Sequence, residues 1–203
     1  MTTLYGREAR DRIWSLIKDI KVAMLATYNA NGLLHARPMQ QQKIEKNSGF
    51  QGVLWFFTGA DTGKVEEITA NPAALLTYAD TDGHNYVSLN GTITISRDRA
   101  KIDELWSEVD KAWFPKGKDD PNLLLLRFEA AEAEFWDSPG MIAAGLGYIK
   151  AFFTGEQAQV GDTGHADLDI PAFEGRETVN SEAPRKPEPE TVLVSTGPRD
   201  PMG

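Results

Sequence analysis

The stretch Leu54-Trp55-Phe56-Phe57-Thr58-Gly59-Ala60-Asp61-Thr62-Gly63-Lys64-Val65-Glu66-Glu67-Ile68 constrains this chain more than any other. Its unbroken apolar start predicts a buried strand, Gly59 a tight turn, and the remainder a helix that opens on a hydroxyl and a lysine. The first backbone N–H groups of a helix have no intrahelical partner, and the helix dipole places about half a positive charge there. Thr62 can add a hydroxyl and Lys64 a full charge, while Gly63 lets the backbone approach closely. An anionic group, a phosphate above all, suits such a junction. Plain architecture suits it too, since strand–turn–helix junctions with Thr, Gly and Lys recur in chains that bind nothing. The spacing Gly-x4-Gly-Lys-Ser/Thr is absent, so this is not a P-loop.

The flanking pattern is mostly β. Ile13, Leu16, Ile17 and Ile20 recur at helical spacing and predict an amphipathic helix near the N-terminus. Val22 to Tyr28 reads as a strand, Asn29-Ala30-Asn31-Gly32 as a hairpin turn, and Leu33 to Ile44 as the partner strand. Asn71-Pro72 stops the helix that starts at Thr62. Strands follow from Ala73 to Ala79 and from Asn85 to Ser96, the second interrupted by Gly91, and Asp80 and Asp82 read as turn formers between them. Asp98 caps a second helix carrying Ile102, Leu105 and Trp106, and Leu123 to Phe135 is a long strand, with a last element expected over 144–154. Six or so short, mostly antiparallel strands with few helices predict a mainly β, α+β fold: a six-stranded antiparallel split β-barrel with flanking helices, whose mouth is a natural ligand site.

Charge divides the chain. From Glu156 onward there are ten acids against four bases, six of the nine net negative charges. Pro184 to Glu190 is rich in Pro and Glu and cannot bury enough apolar surface to offset its ordering entropy. The expected organisation is a folded domain over 1–155 and a disordered, acidic, Pro-rich tail over 156–203. No basic cluster appears, which argues against nucleic-acid binding. Without any cysteine, thiolate catalysis and Cys-dependent zinc or iron–sulfur sites are excluded. No apolar run reaches the ~20 residues of a membrane span, and the polar start, Met1 to Arg12, does not read as a secretory signal. The cytoplasm is the default compartment. His35, His84 and His165 show no metal-ligand spacing, and Ser88 has no evident His or acid partner for a hydrolase triad.

Taken in order, Arg37-Pro38-Met39, Trp55-Phe56-Phe57-Thr58, Lys64-Val65, Asn71-Pro72 and Trp113-Phe114-Pro115-x-Gly117 resemble the FMN-binding split barrel of the pyridoxamine 5'-phosphate oxidase-like superfamily, and more closely its general stress protein branch. The resemblance covers about residues 5–155. It implies a homodimer with non-covalent FMN at the subunit interface and a small-molecule redox partner. Arg37, Thr62 and Lys64 match the family's phosphate-binding residues, in keeping with the fit of guanidinium to phosphate oxygens. By the same resemblance Phe57, Thr58 and Gly59 lie at the strand end beneath the cofactor, Pro38, Met39 and Gln40 run along the neighbouring strand, and Trp113 lies near the flavin across the interface. For the side chains of Phe57, Met39 and Trp106, plain core packing is the competing reading.

The chain departs from the oxidase pattern. Gly63 stands where the oxidase has a further arginine, Gln42 stands near its flavin-contacting lysine, and Tyr86 replaces a glutamine. Its C-terminal Arg-x-His is absent, which disfavours oxidation of pyridoxine phosphate. No residue stands out as an essential acid or base. The expected function is therefore a flavin-dependent oxidoreductase, the alternative a non-enzymatic flavin-binding stress protein acting as reservoir or redox sensor. Deazaflavin and heme are further cofactors of the superfamily.

Overall fold

The computed structural model describes residues 2–43, 50–137 and 162–168. In chain order the elements are β1 (Thr2–Tyr5), α1 (Gly6–Ile17), β2 (Val22–Tyr28), β3 (Leu34–Gln40), β4 (Val53–Gly59), α2 (Gly63–Ala70), β5 (Ala73–Asp80), β6 (Asn85–Ser96), α3 (Arg99–Leu105), β7 (Leu123–Asp137) and β8 (Asp162–Asp167). The strands form one sheet in the order β1-β8-β7-β6-β5-β2-β3, with β4 paired to β7. Because β6 follows β7 over most of its length, β4 and β8 share the opposite edge: β4 takes Leu123–Glu129 and β8 takes Glu132–Asp137.

Long strands that serve two neighbours must bend, and Gly91 supplies the bend. The β6–β7 register shifts at Asn90/Gly91, where a Cβ on Gly91 would lie 2.0 Å from the Glu129 carbonyl oxygen. Only glycine permits so close a backbone approach. The predicted barrel is correspondingly incomplete. A continuous ladder runs β3-β2-β5-β6-β7-β4, but between β4 and β3 the described residues make only the bridge Gln41↔Phe56 and the bond from Gln42 N–H to the Trp55 carbonyl, 2.9 Å. The sheet is split there rather than closed.

Two cores explain why β4 is apolar on both faces. Leu54 and Phe56 enter the main core with Leu25, Leu76, Leu89 and Phe128, against the face of α1 that carries Ala9, Ile13 and Ile17. Those three recur every fourth residue, and full burial of each Ile contributes about 1.5–3 kcal/mol. Trp55 and Phe57 turn the other way, onto a smaller core of Ile102, Leu105, Phe114, Leu123 and Leu125. Asp98 caps α3 as its sequence predicts, accepting from Lys101 N–H at 3.2 Å. Trp106 packs on Phe57 with ring centroids 5.9 Å apart, the core role its helix position predicts.

Two features correct the sequence pattern. Among the described residues the sheet adds two strands, β8 and β1, to the six of that ladder, and β1 pairs with β8 in parallel. Residues 162–168 also belong to the fold, although they fall in the stretch expected to be a disordered tail. Asp162–Asp167, polar with a central Gly, looks like a turn in sequence. It is held by backbone ladders on both sides, with Gly164 under the Phe135 ring and Ala166 and Leu168 fully buried. The expected element over 144–154 and the rest of the predicted tail lie outside the described residues. Among those described, no helix is long and apolar enough to cross a membrane.

Candidate functional site

The β4–α2 junction is a latched turn. Ala60 N–H donates to the Asn122 carbonyl (2.8 Å), Asp61 N–H to Asn122 Oδ1 (3.2 Å), and Asn122 Nδ2 back to Asp61 Oδ1 (2.9 Å). Asn122 immediately precedes β7, so three hydrogen bonds tie the turn to the strand beside β4. Gly59 sits within this latch, where an added Cβ would meet Asp61 Oδ1 at 2.8 Å and Asn122 Nδ2 at 3.0 Å. Gly63 is different: nothing lies within 4 Å of its Cβ position, so space is open beside the start of α2.

Polar groups gather around that opening. Thr62 is the N-cap residue, extended in backbone, and its hydroxyl donates to the Gly59 carbonyl at 2.8 Å. Thr58, buried at the end of β4, has its Oγ1 3.4 Å from Thr62 Oγ1 and accepts from Lys64 Nζ at 3.0 Å. Among the described residues Lys64 makes no ion pair. Burial and then the nearby Arg37 charge lower its pKa, opposed by Asp61 and Glu67. An ammonium penalised by desolvation and by another cation is short of negative charge, and an arriving anion would supply it.

Arg37 reaches this region from β3. Its side chain, 18% exposed, donates through Nη1 to Thr27 Oγ1 and through Nη2 to Glu67 Oε2 at 2.5 Å. Thr27, fully buried on β2, donates to the same Glu67 oxygen at 2.6 Å. His35 Nδ1 lies 2.8 Å from Glu67 Oε1, and its Nε2 lies 3.1 Å from Asn29 Nδ2. Burial pushes the Glu67 pKa up, but the hydrogen bonds from Thr27, His35 and Arg37 and the Arg37 charge outweigh it and bring the value to about 2. Glu67 is therefore a fixed carboxylate at neutral pH, not a proton donor. Among the described residues two of the five guanidinium N–H donors of Arg37 are engaged and three remain.

The residues expected to bind a cofactor thus separate. Thr58, Gly59, Thr62 and Lys64 come together at the latched turn, with Arg37 near enough to act on the Lys64 charge. Met39 is in the main core, and Phe57 packs on Trp106 and Phe114. Pro38 and Gln40 lie exposed on the face of β3 opposite Arg37, and Trp113 is 73% exposed at the end of the 3-10 turn Glu108–Ala112. Gln42 is buried, its Nε2 donating to Asp110 Oδ1 at 3.3 Å. Sequence reasoning did not single out Glu67, Thr27 or Asn122. A signal existed for the first two: Thr27, His35 and Arg37 fall on one face of the β2–β3 pair, and polar groups so clustered call for an acid. No cluster of His, Asp or Glu among the described residues could hold a metal ion.

This donor set fits a phosphate. Among the described residues it offers an ammonium with no carboxylate on it, a guanidinium with donors to spare, two hydroxyls and the open N-terminus of an eight-residue helix. Comparison with known proteins shows the family. Residues 8–159 match the family described as pyridoxamine 5'-phosphate oxidase like. The chain is 32% identical over 128 residues to general stress protein 26 of Bacillus subtilis (strain 168), covering 61% of this chain and 84% of that protein. A solved structure described as a general stress protein 26 from Jannaschia sp. CCS1 is 30% identical, with a TM-score of 0.63 over 76% of this chain and 95% of the other. The general stress FMN/FAD binding protein from Xanthomonas citri is 33% identical, with a TM-score of 0.55 over 65% and 90% of the two chains.

Proposed function

From the membership of this chain in the pyridoxamine 5'-phosphate oxidase-like family, in its general stress protein 26 branch, we propose that it binds FMN non-covalently and acts as a flavin-dependent oxidoreductase. The observation that carries the reading is Lys64, on Thr58 and without an ion pair among the described residues, at the open start of α2 and within electrostatic reach of Arg37. Lys64, Arg37, Thr58 and Thr62 would hold the cofactor phosphate, and the bound flavin would supply hydride or electron transfer. The chain's own residues then position the cofactor and set the field around it.

A homodimer completes this reading. The outward side of β2 and β3 carries Val22, Met24, Tyr28 and Leu34, all exposed, and a second copy would cover them. Trp113 is similarly exposed and would be the aromatic wall given to the flavin ring across that interface. The seam between β3 and β4 is consistent with a barrel of β2 to β7 whose mouth is finished by a partner.

One observation favours the second reading, a non-enzymatic flavin carrier or redox sensor. The carboxylate that holds Arg37, Glu67, is locked by three donors and cannot serve as an acid or base. The deciding experiment is a visible spectrum after adding FMN and desalting, followed by anaerobic mixing with NADH or NADPH. Flavin bands that travel with the protein and bleach on mixing support the reductase; bands that do not bleach leave the carrier. A colourless protein after desalting rejects both.

A further inference from the structure

Thr27, Arg37 and Glu67 form a closed triangle: Thr27 donates to Glu67 Oε2, Arg37 donates to that same oxygen, and Thr27 accepts from Arg37. A phosphate site has no direct use for a carboxylate, which repels the ligand's charge. Yet Glu67 is well secured. It lies one turn beyond Lys64 on α2, its side chain is only 12% exposed, and His35 supports its other oxygen. A guanidinium on a long stem must otherwise be ordered at the moment of binding, and a partner that orders it beforehand removes that entropy from the binding step.

We propose that Glu67 is the positioning residue for Arg37, holding its guanidinium beside Lys64 so that the chain prefers a phosphorylated flavin to riboflavin. The proposal rests on the flavin-phosphate reading above. Glu67 ties Arg37 to the same helix that offers Lys64 and the N-terminal amides, so the two cations keep a fixed relation. Thr27 and His35 keep the carboxylate charged and in place, which the low Glu67 pKa also reflects. Mere neutralisation of Arg37 by Glu67 makes the opposite forecast, because removing the carboxylate would then strengthen phosphate binding.

The test is the ratio of FMN to riboflavin affinity, read by flavin fluorescence titration of wild type, Glu67→Gln, Arg37→Ala and the double variant. Glu67→Gln is expected to lower the ratio about tenfold, the scale of one charge-assisted hydrogen bond. Arg37→Ala should lower it at least as much, and the double variant no further than Arg37→Ala alone. An unchanged or raised ratio in Glu67→Gln overturns the proposal, as do losses that multiply in the double variant. Should Glu67→Gln fail to fold, Glu67→Asp keeps the charge but withdraws the carboxylate by one methylene. A severalfold fall in the ratio is expected there, and no change is fatal. Wild-type protein that shows no preference for FMN over riboflavin overturns the phosphate reading as well, whereas a wild-type preference that Glu67→Gln retains overturns only the role of Glu67.

Discussion

The two faces of β3 differ in how far the chain itself satisfies them. Inward, His35, Arg37 and Met39 are committed: His35 and Arg37 to Glu67, Met39 to the core. Outward, Leu34 (59% exposed), Ala36, Pro38 and Gln40 lie opposite Tyr28, Ala26, Met24 and Val22 of β2, an exposed and largely apolar strip. Strand alternation puts the two faces one residue apart. The contrast teaches that one chain brings the proposed phosphate-binding groups together by itself, whereas the opposite face of the same strand is left exposed by that chain.

Breaking the inward face should have the largest effect. Arg37→Ala with Lys64→Ala removes both cations, and since each charge-assisted hydrogen bond contributes about 1.5–3 kcal/mol, FMN affinity should fall at least about a hundredfold. Calorimetric titration reads this directly, and undiminished affinity would remove the phosphate assignment. Next in size comes the outward face. Met24→Glu places a charge within the apolar strip and should convert the proposed dimer to monomer by light scattering, while the unfolding free energy of the chain moves by no more than about 0.5 kcal/mol. A variant that stays dimeric would show that the interface lies elsewhere.

A smaller effect is a pH dependence. The folded pKa of Glu67, about 2, lies below its ordinary 4.5. The protonated carboxyl is favoured in the unfolded chain, so this stabilisation is present above about pH 4.5 and fades as pH falls toward about 2. Urea midpoints measured across that window should decline less steeply in Glu67→Gln than in wild type; parallel curves would show that the network contributes nothing to stability. The smallest effect belongs to Gly63→Ala. Open space around its Cβ position predicts stability unchanged or raised by up to about 1 kcal/mol. FMN affinity should nonetheless drop severalfold, because the methyl enters the opening. Equal affinity would place the phosphate away from the start of α2.

Local features were the legible ones. The apolar run Val53–Phe57, the glycine turn and the Asn71-Pro72 stop are each written within a few residues, and β4, the latched turn and α2 follow them. The Asn29–Gly32 turn forms with Gly32 at φ +75°, as an Asn-Gly pair predicts. Arg37 was legible as an odd charge in a strand, but its partner was not: Glu67 lies 30 positions away. Asn122 is 61 positions from the turn it latches. Nothing in a linear pattern links such groups, since their pairing is decided by which strands become neighbours. β1 escaped because four residues are too few for a period, and β8 because backbone ladders rather than apolar side chains define it. The seam between β3 and β4 is likewise a matter of register, which spacing alone does not fix.

The β1–β8 edge has a consequence in time. Arg10 and the Leu168 carbonyl it grips are 158 positions apart, and Leu4 pairs with Ala166 beside them. On the ribosome β1 is made before β7, yet the strand it pairs with among the described residues, β8, is made after β7. At about 5–20 residues per second, β1 waits roughly ten to thirty seconds for the strand it joins. The order of synthesis and the order of assembly therefore run in opposite senses at this edge, and a strand made before the rest of its sheet is among the last to find its place.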